Sequence, residues 1–75
     1  MLELWIHPVK RRYYKFAVYR DLLGDRVLLR SWGSLDNKLG GSMTQLVLDD
    51  KKEQTLINLI RKRRQQHDYE LVKNK

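Results

Sequence analysis

Apolar and polar positions alternate along Leu2–His7, with Leu2, Leu4 and Ile6 on one side and Glu3, Trp5 and His7 on the other. A period of two marks a strand, whose side chains leave opposite faces in turn. Pro8 ends it, having no amide hydrogen for the ladder, and Trp5 is expected to cover the sheet edge. Arg11–Tyr19 predicts a second strand, rich in aromatics, with Tyr14, Phe16 and Val18 turned inward. Asp21–Asp25 reads as a hairpin connection in which Gly24 can take a positive φ. A third strand follows over Arg26–Gly33. Val27, Leu29 and Ser31 share one of its faces; Arg26, Leu28, Arg30 and Trp32 share the other. Ser34–Ser42 carries Asp36, Asn37, Lys38, Gly40 and Gly41 and predicts a flexible loop. Met43–Leu48 predicts a fourth strand, closed by Asp49 and Asp50.

The period then changes. Asp50 and Glu53 have the spacing of a capping box, with Asp50 as N-cap, and open a helix over Lys51–Gln66. At 100° per residue, Leu56, Ile57, Leu59 and Ile60 fall on one arc, the expected sheet-facing stripe. Asp68–Val72 reads as a turn and a short last strand, with Tyr69, Leu71 and Val72 available for packing. No repeat, linker or low-complexity segment divides the chain. The elements predict an α+β fold, a four- or five-stranded antiparallel sheet packed by one long C-terminal helix, in a single domain over residues 1–75.

A domain of 75 residues buries only roughly 60% of the surface its unfolded chain exposes. An internal ligand cavity is not expected, nor is a small-molecule substrate or a cofactor. Charge changes the picture more. Lys and Arg number 16 against 9 Asp and Glu, a formal net charge of +7. Such a balance points to a polyanionic partner, nucleic acid before an anionic membrane surface. The chain has no cysteine, which excludes disulfides and thiolate zinc sites. No apolar run approaches the ~18 residues of a membrane span, and no secretory pattern opens the sequence. A cytoplasmic protein without a membrane partner is expected.

The candidate chemistry centres on Trp32, which shares its strand face with Arg26 and Arg30. An indole among guanidinium groups suits a sugar or base for stacking and phosphates for pairing. A core tryptophan at a strand end satisfies the same alternation. Lys10-Arg11-Arg12 forms a basic cluster before the second strand. Arg61-Lys62-Arg63-Arg64 fans around the last helical turn, where cations complement the carbonyl end of the dipole. That run is either solvated or meets a ligand. Gly40-Gly41 belongs to no GxxxxGK[ST] or GxGxxG pattern. Catalysis has little support. His7 and His67 stand far apart without a carboxylate partner set, and Asp49 and Asp50 are explained by strand exit and helix capping. Ser31, Ser34 and Ser42 lack the setting of a nucleophile. An enzyme is not expected.

Arg30-Ser31-Trp32-Gly33, the Gly40-Gly41 pair, the helix Gln54–Arg64 and the closing Tyr69 together resemble the WGR domain. That domain is named for a Trp-Gly-Arg triplet and is known from DNA-dependent poly(ADP-ribose) polymerases and from small bacterial proteins. The likeness covers about Glu3 to Val72. It implies an antiparallel sheet packed by one long helix, and a tryptophan lying against a sugar at a DNA strand end. Ser34 stands where the family carries its arginine, and Asp36-Asn37 where an Ile-Gly pair would continue, so only Trp32 and Gly33 inherit the family's reading. Ser34 can donate one hydrogen bond to a phosphate but brings no charge; Arg30 or Lys38 would supply it. The expected nucleic-acid contacts are Trp32, Gly33, Arg30, Ser34 and Lys38, surrounded by Arg26, Lys10, Arg11, Arg12, Arg63 and Arg64. A non-catalytic DNA-binding module is thus the leading expectation. A protein-interaction module, and binding of single strands or RNA, are its rivals.

Overall fold

The computed structural model describes residues 1–74. Its elements are β1 (Leu2–His7), β2 (Arg12–Arg20), β3 (Arg26–Ser34), β4 (Gly40–Leu46), α1 (Asp50–Gln66) and β5 (Glu70–Asn74). The strands form one antiparallel sheet in the order β4-β3-β2-β1-β5. The fold is therefore α+β with five strands. The helix is 17 residues long and is followed by β5 rather than ending the chain. It carries the chain from one sheet edge, β4, to the other, β5, and covers one face. No helix among the described residues is long and apolar enough to cross a membrane.

Hairpin geometry follows from local chemistry. Gly24 sits at φ +84, a conformation that costs glycine nothing. The Asp21 carboxylate accepts from the amides of Leu23 and Asp25 at 3.0 and 2.9 Å, closing the turn between β2 and β3. Between β3 and β4 the turn is ordered, not flexible. Ser34 Oγ accepts from the Asp36 amide at 3.1 Å, Asn37 Oδ1 accepts from Leu39 at 2.8 Å, and Ser34 N donates to Leu39 O at 3.0 Å. Gly40 and Gly41 lie in β4, paired with Gly33 and Trp32. A Cβ at Gly40 would stand 2.3 Å from the Trp32 carbonyl oxygen, and β4 starts at Gly40, earlier than the Met43 that turn composition suggests.

The core lies between sheet and helix: Trp5, Phe16, Leu28, Val47, Ile57 and Ile60 are buried, with Tyr14, Val18, Leu56 and Tyr69 packed against them. Tyr14, Phe16 and Val18 face inward as β2's pattern predicts. Three expectations are corrected. Trp5 is a core residue at 3% exposure, not a cover on the edge, because β1 turns Glu3, Trp5 and His7 toward the helix. Leu59 is 54% exposed and lies outside the stripe. The buried face of α1 runs through Ile57, Ile60, Arg61 and Arg64, at the i, i+3, i+4, i+7 spacing. N-capping is shifted by one residue as well: Asp49, not Asp50, is the cap, accepting from Lys52 N at 2.8 Å.

Inward-facing Glu3 is fully buried and fully engaged. It accepts from Trp5 Nε1 at 3.1 Å and from both Nε and a terminal nitrogen of Arg61. A buried carboxylate requires such a partner. The hydrogen bond to Glu3 raises the Arg61 guanidinium above its ordinary value, against the opposing effect of burial.

Candidate nucleic-acid interface

The strand register assembles an aromatic row on the helix-covered face. Trp5, Tyr14 and Trp32 stand opposite one another across β1, β2 and β3, and Gly41 of β4 completes the row. Trp32 and Tyr14 are stacked, with ring centroids 6.4 Å apart and planes 16° from parallel. On the other side, a Cβ at Gly41 would come within 3.0 Å of the indole. Glycine there lets the ring lie low over the edge strand. The Trp32 indole stays 38% exposed, whereas Trp5 in the same row is buried at 3%.

The helix adds the charge. Arg64, one turn after Ile60, places its guanidinium carbon 4.2 Å from the Tyr14 ring centre and 4.8 Å from that of Tyr69. Both distances are within cation–π reach. Tyr69 is held in turn by His7, whose ring meets it edge-on at 5.4 Å, and His7 Nδ1 accepts from the Lys10 amide at 3.1 Å. These groups frame an open cleft of about 500 Å3, with Trp32, Tyr14, Arg64 and Tyr69 on its walls and Lys10, Arg12, Ser34 and Asn37 around it. A second groove of about 230 Å3 lies beside it, lined by Arg30, Arg63, Tyr14 and Arg64. Arg30 donates to Gln45 Oε1 at 3.0 Å, and the buried Nε of both Arg30 and Arg64 has no hydrogen-bond partner. One terminal nitrogen of Arg30 is thus engaged by Gln45, while the Arg64 guanidinium lies over two rings with no carboxylate partner among the described residues.

Lys10, Arg12, Arg30, Arg63 and Arg64 form no ion pair among the described residues. They are gathered on one side with Trp32, Gly33 and Ser34. The Ser34 oxygen already accepts a turn hydrogen bond, which leaves its hydroxyl hydrogen to donate. Arg30 and Arg63 line the second groove only, and three expected cations are brought into neither. Arg26 is tied to Asp50 and Glu53 at the opposite end of β3, at 2.5 and 3.4 Å. Arg11, in a left-handed conformation at φ 53, is paired with Asp36 at 2.8 Å. Lys38 lies in the β3–β4 turn without lining the cleft.

The chain matches no family model, no curated protein and no solved structure. Geometry alone therefore defines the site. Two of its members were not among the contacts expected from sequence: Tyr14, read as an inward residue of β2, and Tyr69, read as available for packing and as part of the family likeness. The signal for Tyr14 lay in the pairing of β2 with β3, which sets it opposite Trp32.

Proposed function

We propose that the chain is a non-catalytic nucleic-acid-binding module of the WGR type, taking DNA into the cleft between Trp32, Tyr14 and Arg64. One observation carries this reading: stacked aromatic rings and unpaired cations meet in a single open cleft. A ring face accepts a sugar or base whatever the sequence, and guanidinium and ammonium groups accept phosphate. Phosphate neutralisation by Lys10, Arg12 and Arg64 supplies affinity. Trp32 fixes where the nucleic acid rests. The charge that an arginine would bring at Ser34 comes from Arg64, reaching in from the helix.

Fluorescence anisotropy, with blunt duplex, nicked duplex and single strand in competition, tests the proposal. Duplexes with an end or interruption should bind most tightly. Loss of an aromatic stacking platform costs about 1–3 kcal/mol, so Trp32→Ala should weaken binding about tenfold, with the melting temperature little changed. A preference for single strand over every duplex would move the site to single-strand or RNA binding. No binding to any of the three would leave protein docking in its place.

A further inference from the structure

Among the described residues no element covers the face of the sheet opposite the helix, and much of that face is apolar. Strand register lays them out in rows. Tyr19, Val27 and Leu46 stand side by side on β2, β3 and β4; Leu2, Ala17, Leu29 and Thr44 form the next row, on β1 to β4. Leu4 and Ile6 continue the apolar surface along β1. Among the described residues of this face the charges are Lys15, in the row Leu4, Lys15, Ser31, Ser42, and the β5 edge residues Lys73 and Glu70, paired with Leu4 and Ile6. Leu46 is 55% exposed. The cations of the candidate nucleic-acid site all lie on the other side or around the cleft. One face is therefore cationic and the other apolar and almost neutral.

We infer that this open face is the docking surface for a second copy of the chain, the two sheets packing face to face. A chain of charge +7 repels its copy over most of its surface, and the open face is where that repulsion is weakest. Packed this way, the two cationic clefts turn away from each other. Face-to-face sheets lie about 10 Å apart and interdigitate apolar side chains, and Ala17, in the second row, admits the partner's leucines. The size is sufficient. Five strands at about 4.8 Å, each with about 20 Å of length, present roughly 500 Å2 per copy, or roughly 1,000 Å2 for the pair even as flat projections. That meets the roughly 1,000 Å2 a biological contact should clear and falls in the range of weak, reversible association. Large apolar surface without a cover is rare on monomers.

Sedimentation equilibrium on the whole chain, from micromolar to near-millimolar protein and without nucleic acid, decides the point. The expected result is a reversible dimer, twice the 9.1 kDa chain mass. Leu29→Glu should be monomeric at concentrations where the parent is dimeric. Circular dichroism checks that it folds; if it does not, Leu46→Glu, at a more exposed position, takes its place. Because the assay contains no DNA, its result is separate from that of the binding experiment. A parent that stays monomeric throughout overturns the inference. A dimer that persists in the folded variant overturns it equally, placing the contact elsewhere, such as the β4 edge.

Discussion

The Arg64 guanidinium lies 4.2 Å from the centre of the Tyr14 ring, and Tyr14 is stacked on Trp32 across the β2–β3 ladder. A helix cation and a strand tryptophan, far apart in sequence, are thereby joined through one tyrosine. Contact with a ring holds the charge in place without neutralising it, as a carboxylate would.

Charge and shape can be separated at this position. Arg64→Lys keeps the charge but loses the planar contact with Tyr14 and Tyr69. It should weaken DNA binding while leaving the salt slope nearly unchanged. Arg64→Ala should weaken binding further and reduce the slope by about 0.9, one phosphate's share. Equal slopes for Ala and wild type, measured by titration at several salt concentrations, would remove Arg64 from phosphate contact.

The phase of the helix yields a stability test. Ile57, 3% exposed, and Ile60, 5% exposed, lie in the core. Truncating either to alanine should cost about 2–5 kcal/mol. Leu59→Ala removes mostly solvated surface and should stay within about 0.5 kcal/mol. Urea denaturation of the three variants would refute the placement if Leu59→Ala proved the most damaging.

Removing Arg61 strands a carboxylate. Glu3 is fully buried, and losing one member of a buried pair costs about 3–5 kcal/mol. Arg61 is itself partly exposed, so Arg61→Ala should fall toward the lower end of that range. Adding Glu3→Gln to Arg61→Ala should restore part of the loss, because it removes the uncompensated charge. Additive losses in that double-mutant cycle would mean that the pair is not coupled.

These residues also show how far the sequence could be read. Alternation in β2 placed Tyr14, Phe16 and Val18 inward, where they are found, and alternation in β3 grouped Leu28 with Trp32 on one face, which the fold turns toward the helix. It misled in β1, where Leu2, Leu4 and Ile6 form the apolar set and yet face outward. Glu3 goes inside because Arg61, distant in sequence, meets it there. The same ion pair hid the helix phase, since a stripe containing Arg61 and Arg64 does not look apolar. Gly40 and Gly41 carry turn composition, but the low-lying Trp32 indole and the close approach of β3 require glycine within a strand. Arg11 and Arg26 looked like available cations until the fold set Asp36, Asp50 and Glu53 beside them. Partners from other elements decided each case.

The most direct measurement of the central claim is the salt dependence of affinity for duplex DNA. The grooves around Trp32 gather five unpaired cations, Lys10, Arg12, Arg30, Arg63 and Arg64. With about four phosphates neutralised, log K against log salt should fall with a slope of roughly −3 to −4. A flat plot, or no binding at low salt, would contradict the account and take nucleic acid out of the cleft.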